Sequence, residues 1–420
     1  KVDILFVVDN TASSVVREPL APLLSLLVGS ALPVSYHVGV ITSDNGANGL
    51  ENPQCQPGSD QFGGGRLQAR GEAANATCLA PLGANYLEID RRTDTTNLPD
   101  GQTVETTLGC MLDVGALGCG FEQPLETSYR ALTDTTISEN TGFLRDDALL
   151  AILYVMDEDD CSAPPTSDVY DPEPSTPPPD GLGLLNSYRC AKWAIVCRDP
   201  VTGQTSLMPY AAVTGLEDCR PASQVQGNRL HNVDRYIDLF TRPKSEGGLK
   251  RDPDDVMLFA IAGDPPATLS TRLVSQPQAA IVLEPACQSA DDPQVFADPA
   301  VRLTTVVRAA KSHAVHSICQ TDYAPIFQAL TNQLATRTEA VRCLPYAVDN
   351  LKKCEASEVS RATGKAVRAL AACDATAANR PCWRLGTDAR CDRVEGDPTL
   401  IVERDDQPAP DTDYVLRCVD

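Results

Sequence analysis

Apolar residues cluster in four short runs across the first two-thirds of the chain: Val2 to Val8 (VDILFVV), Val34 to Ile41 (VSYHVGVI), Leu149 to Val155 (LLAILYV) and Asp255 to Ala262 (DVMLFAIA). Near-continuous apolar runs of this length mark strands buried on both faces. Two shorter segments, Tyr86–Asp90 and Ala314–Ile318, suit strands as well. Between them the period changes to that of helices, over residues 14–29, 102–115, 122–133, 232–241, 300–311 and 322–336. Pro19 and Pro22 weaken the first of these, because proline is tolerated mainly in a first helical turn. Strands alternating with helices predict the α/β class: a doubly wound, mostly parallel sheet covered on both faces.

Two stretches interrupt that pattern. Residues 44–83 are rich in Gly and Asn and read as a long surface loop, with Cys55 and Cys78 as the expected staple. The run Gly63-Gly64-Gly65 lacks the Gly-Lys-Ser/Thr that a phosphate-binding loop requires. Residues 162–231 read as a second insertion. It is Pro-, Ser- and Asp-rich at first and is pinned by Cys190, Cys197 and Cys219.

Residues 340–420 differ again. They hold six of the 16 cysteines, with strand-like Leu400-Ile401-Val402 and Tyr414-Val415-Leu416. Residues 355–372 read as a hairpin turning at Gly364. The expected organisation is an α/β domain over 1–337 and a C-terminal disulfide-rich β module over 340–420. The even split of cysteines, ten and six, suits two separately bridged units.

The cysteines change the picture of where the chain works. Disulfides persist in oxidising compartments, so the expectation is export to periplasm, cell surface or medium. No window approaches the ~20 apolar residues needed to span a bilayer. A formal net charge of -22 repels nucleic acid and anionic membranes.

The candidate chemistry sits directly after the first strand. Asp9-Asn10-Thr11-Ala12-Ser13 places a carboxylate and two hydroxyls at i, i+2 and i+4. Hard oxygens of this kind suit Mg²⁺, Ca²⁺ or Mn²⁺. Asp157 ends the strand Leu149–Val155 in the same manner. Two carboxylates side by side repel each other, and a divalent ion removes the conflict. The bland alternative is a capping cluster in which Ser13 starts the next helix.

Glu158, Asp159 and Asp160 read as solvated loop acids, and Asp264 as a turn residue. Trp193 and Trp383 neighbour cysteines and read as core residues packed on disulfides. His313 and His316, three apart in a strand, point to opposite faces, which argues against zinc. No HExxH or GxSxG motif occurs, and a hydrolase built on Asp157–Asp160 lacks a matched nucleophile, so no enzyme is expected.

These residues together resemble the von Willebrand factor A domain. The resemblance covers roughly residues 1–337 and rests on the Asp9-x-Thr11-x-Ser13 loop, on Asp157 and on the order of elements. Closer similarity is to cysteine-rich surface A-domain proteins of myxobacteria and related bacteria, the class that includes a gliding-motility adhesin. It is carried by Gly118-Cys119-Gly120-Phe121-Glu122-Gln123-Pro124-Leu125-Glu126, Gly142-Phe143-Leu144-Arg145-Asp146-Asp147-Ala148, Asp157-Glu158-Asp159-Asp160-Cys161 and the tail from Pro381-Cys382-Trp383 to Cys418.

The resemblance implies a central sheet of strand order 3-2-1-4-5-6 and a metal-ion-dependent adhesion site. The implied ligands are Asp9, Thr11, Ser13 and Asp157, holding Mg²⁺ (or Ca²⁺ or Mn²⁺). Where that family places a third-loop threonine, this chain has Glu122, whose carboxylate takes the position directly or through water; Thr127 is the weaker candidate. The implied function is an extracellular adhesin or protein-binding module that captures an acidic group of a surface ligand. The implied location is the bacterial cell surface, with attachment to the outer membrane. The alternative is a structural pilus or filament subunit that self-assembles on an A-domain scaffold with a degenerate metal site.

Overall fold

The computed structural model describes the chain outside residues 12–19, 23, 25–33, 56–62, 72–74, 76, 92, 174, 276–278, 340–341, 344–353, 361–364, 375–378, 388–397, 406–411 and 419–420. Two compact units result, one reaching Leu330 and the other containing Thr331–Asp420.

The first unit is built on a seven-stranded, mostly parallel sheet. In chain order its strands are β1 (Val2–Val8), β2 (Ser35–Thr42), β3 (Leu87–Asp90), β4 (Thr95–Thr96), β5 (Leu149–Val155), β9 (Val256–Ala262) and β14 (Ser312–Ser317). Their spatial order is β14-β9-β5-β1-β2-β3-β4. β1 pairs in parallel with both β2 and β5, and β5–β9 and β9–β14 are also parallel. Only β3 and β4, at one edge, run antiparallel. Every residue of β1, β5 and β9 is buried, which is why these strands are apolar throughout.

One face of the sheet packs against helices Pro124–Thr133, Asp234–Thr241 and Val301–Ala309. Leu125, Tyr236, Phe240, Leu303 and Val307 meet Leu5, Val7, Ile152, Tyr154 and Leu258 there. Of the first expected helix, residues 20–22 and 24 are helical, and the rest of 14–29 lies outside the described residues.

Two expectations are corrected. Cys55 and Cys78 do not pair: Cys55 joins Cys119 and Cys78 joins Cys110. The loop is therefore tied to the last turn of the helix Val104–Leu112 and to the loop beyond it rather than closed on itself. The stretch 162–231 is also more than an irregular insertion. β6 (Ile195–Arg198), β7 (Thr205–Leu207) and β8 (Val213–Pro221) pair with β10 (Thr268–Val274) and β11 (Ala280–Leu283). They form a second, five-stranded antiparallel sheet of order β11-β10-β8-β6-β7. The short pair β12 (Cys287–Gln288) and β13 (Phe296–Ala297) follows.

The second unit holds a six-stranded sheet of β15 (Arg342–Cys343), β16 (Cys354–Ser360), β17 (Ala366–Ala372), β18 (Cys382–Thr387), β19 (Pro398–Glu403) and β20 (Thr412–Cys418). β16 and β17 form the hairpin expected at 355–372; its turn residue, Gly364, lies outside the described residues. Trp383 is buried in the same cluster as Cys354.

Seven disulfides occur among the described residues, five in the first unit and two in the second. That density indicates an oxidising, extracellular-type environment. No described helix is long and apolar enough to cross a membrane.

Candidate metal centre

The sheet order reverses between β1 and β5: β2 lies on one side of β1, while β5, β9 and β14 lie on the other. In open α/β sheets, ligands bind at the carboxyl ends of the strands at such a point. Asp9 leaves β1 there and Asp157 leaves β5 there. Both are held by backbone bonds of the strand ends. The Asp9 N–H donates to the Val155 carbonyl (3.0 Å), and the Asp157 carbonyl accepts from the Asp298 N–H (2.8 Å).

Glu122 arrives from a third direction, on the loop before the helix Pro124–Thr133. Its carbonyl accepts from the Cys161 N–H (2.7 Å), and the next N–H, of Gln123, donates to the Ser43 carbonyl (2.8 Å). Glu122 is thereby fixed between the loop after β2 and the loop after β5. One carboxylate oxygen from each of Asp9, Glu122 and Asp157 lies within 4.8 Å of the others. An ion with oxygens at roughly 2.0–2.6 Å can be shared by groups this close.

Thr11 organises the cluster. Its N–H donates to Asp9 Oδ1 (2.7 Å), and its hydroxyl donates to Glu122 Oε1 (3.1 Å). The hydroxyl keeps lone pairs for a cation while it holds Glu122, and the backbone N–H holds Asp9. Glu122 Oε2 is buried and has no hydrogen-bond partner among the described residues. Ser13 lies outside the described residues. Thr127 is turned away from the cluster, its hydroxyl donating to the Pro124 carbonyl (3.2 Å).

The loop Gly115–Gly120 closes over the first metal-loop residues. The Gly118 N–H donates to the Asn10 carbonyl (2.8 Å). A Cβ at Gly118 would come within 2.4 Å of Asn10 Oδ1, so a larger residue here requires the Asn10 side chain to move. The Cys55–Cys119 disulfide secures the same loop.

The acids after Asp157 are not solvated loop acids, and this corrects the expectation. Asp159 caps the helix Val301–Ala309, accepting from the N–H groups of Arg302 (2.9 Å) and Leu303 (3.0 Å). Asp160 is fully buried and accepts from the Leu125 N–H (3.2 Å) at the start of the helix Pro124–Thr133. It also pairs with the buried Arg302 guanidinium at 3.0 Å. One short run thus starts two helices and holds Asp157 at their junction, because helix N-termini leave N–H groups that a carboxylate satisfies. Asp264 forms an ion pair with Arg308. Trp193 is half-buried rather than a core residue, with Lys192 4.6 Å and Arg229 4.4 Å from its ring centre.

Electrostatics set this corner apart. Burial pushes the Glu122 carboxyl well above its usual range, and Asp9, Asp157 and Glu158 push it further. Glu158 is raised well above its usual range by burial and then by Asp298, Asp157 and Asp9. Asp298 is pushed up to about 7 by burial and by Asp159. Asp159 is pushed up to about 6 by burial, against the lowering effect of its bonds to the Arg302 and Leu303 N–H groups. Asp298 and Arg302 escape a reading of local sequence; the one signal is an acidic residue just before a helical period at 300–311.

The donor set is all oxygen and acidic, with Asp9 and Glu122 buried and Asp157 half-buried, and it fits a hard divalent cation. No protein-family model matches the chain, and no curated protein matches it at a significant level.

Proposed function

We propose that this chain is an extracellular, metal-dependent binding module of the von Willebrand factor A type, displayed at a bacterial cell surface. Asp9, Glu122 and Asp157 hold a divalent ion, Mg²⁺, Ca²⁺ or Mn²⁺, and Thr11 orients two of them. An acidic group of an extracellular partner completes the ion's shell. The observation that carries this reading is the convergence of three carboxylates from three separate loops, one with a buried oxygen that has no hydrogen-bond partner among the described residues. Burying a charged oxygen without a partner is costly, and a cation removes the cost.

Two further features support it. The cluster sits at the carboxyl ends of β1 and β5, where the strand order reverses. Read as β3-β2-β1-β5-β9-β14, that order also corresponds to 3-2-1-4-5-6. When bound, the ion offers Lewis acidity toward an incoming oxygen. The chain's own residues position it and, through Gly118 and the Cys55–Cys119 disulfide, fix the rim around it. This is a binding role rather than a catalytic one.

Isothermal titration of the intact chain and of Asp9→Ala with each of the three ions tests the reading. Saturable binding by the wild type that Asp9→Ala loses is expected. A wild type that binds none of the ions refutes the metal site.

A further inference from the structure

We infer that the site selects Ca²⁺ over Mg²⁺ and that Glu122 sets this preference; the inference rests on the metal-binding reading above.

Outside the cluster of Thr11, Asp9 and Asp157, the Glu122 side chain has no helix to start. It precedes the helix Pro124–Thr133, yet the first N–H groups of that helix are satisfied elsewhere. Leu125 donates to Asp160 Oδ1, Glu126 to Ser162 Oγ (3.0 Å) and Thr127 to the Gln123 carbonyl (2.9 Å). Glu122 is therefore not a helix cap. Its Oε1 is held by the Thr11 hydroxyl, and its Oε2 is buried beside two other carboxylates with no partner among the described residues. Only 1% of Glu122 and none of Asp9 is exposed, so both carboxylates point into protein rather than water.

Ion chemistry then decides between candidates. Mg²⁺ demands a near-ideal octahedron, sheds water reluctantly and is ordinarily held by one or two carboxylates with several waters retained. A third buried carboxylate takes space that those waters need. It also brings the donor charge to three negatives around two positives. Ca²⁺ accepts six to eight oxygens in irregular geometry, takes carboxylates in one- or two-oxygen modes, and binds more tightly as ligand charge rises. Asp9 and Asp157 are fixed by adjacent strands, whereas Glu122 has the longer side chain and can offer one oxygen or two. Its larger shell leaves Ca²⁺ positions for Thr11 and for a partner's oxygen.

The test is titration of the intact, metal-stripped chain with CaCl₂ and, separately, MgCl₂, repeated on Glu122→Gln. That substitution keeps an oxygen and the shape but removes the charge. The wild type is expected to bind Ca²⁺ at least tenfold more tightly than Mg²⁺. Glu122→Gln is expected to lose at least tenfold in Ca²⁺ affinity, with a smaller change for Mg²⁺. Wild-type affinity for Mg²⁺ that equals or exceeds that for Ca²⁺ overturns the selectivity while leaving the metal site standing. A Ca²⁺-to-Mg²⁺ ratio that Glu122→Gln leaves unchanged overturns the role of Glu122. Binding of neither ion by the wild type overturns both this inference and the reading beneath it. The wild-type ratio needs no variant to fold.

Discussion

The two ends of β1 each bury an aspartate completely, and they treat it in opposite ways. At the start of the strand, Asp3 meets Arg145. The guanidinium donates through Nε to Asp3 Oδ1 (2.8 Å), and the Arg145 N–H donates to Oδ2 (2.8 Å). The same arginine bonds the Val2 carbonyl, the Ser35 carbonyl and the Ser35 hydroxyl, so it ties two strands together as well. At the other end, Asp9 meets Glu122 and Asp157. One end carries its counter-charge in the sequence; the other gathers like charges. At Asp3 an arginine works against the raising effect of burial, whereas Asp9 stands among acids, where the proposed cation would supply the missing counter-charge.

That contrast can be broken experimentally, and the largest effect belongs to the arginine. Arg145→Met leaves Asp3 buried without its partner and is expected to cost about 3–5 kcal/mol in urea denaturation. Replacing both, as Asp3→Leu with Arg145→Met, should recover much of that loss, since apolar pairs can substitute for buried ion pairs. If Arg145→Met alone is neutral, the proposed neutralisation at this end is wrong.

Next comes the ion itself. Saturating divalent metal at a hundred times its dissociation constant is expected to stabilise the chain by about 2.7 kcal/mol. Asp157→Ala should abolish that increment in a thermal or urea melt. An increment that survives Asp157→Ala assigns the ion to another place.

Asn substitutions at the two aspartates should then differ in sign. In metal-free protein, Asp9→Asn removes a charge that pushes Glu122 up and is expected to stabilise. Asp3→Asn gives up a charged bond to Arg145 and is expected to destabilise. Effects of the same sign at both positions would erase the distinction between the two ends.

The smallest effect is a dependence on pH. Asp298 at about 7 and Asp159 at about 6 stand above an ordinary value of 3.8. Carboxyls raised on folding favour the folded state while protonated. Their contribution is complete below about pH 4 and is lost as pH rises through 6 and 7. The urea midpoint of the metal-free chain should fall by roughly a few tenths molar between pH 5 and pH 8. Asp298→Asn should flatten that fall; an unchanged slope would remove Asp298 from the account.

The sequence disclosed some of this and hid the rest for physical reasons. β1, β5 and β9 are buried on both faces, so their apolar runs stand out from local composition alone. The second sheet is different. β8 (VTGLEDCRP) and β10 (TLSTRLV) are half-exposed and polar, and they pair across more than fifty residues with register irregularities. No local pattern announces such strands. Cysteine spacing likewise cannot choose among pairings, so proximity in sequence suggests Cys78 for Cys55 where the partner is Cys119. Asp9 and Asp157 were legible as candidates because each ends an apolar run. The work of Asp160 was not, because its partner Arg302 lies 142 residues away.

The most direct measurement is a crystal structure of the chain grown with Ca²⁺ or Mn²⁺, with anomalous data recorded. The account predicts one strong anomalous peak with carboxylate oxygens of Asp9, Glu122 and Asp157 at roughly 2.0–2.6 Å around it. A fully resolved site in saturating metal with no such peak, its three carboxylates joined by shared protons or by a basic side chain, would contradict it.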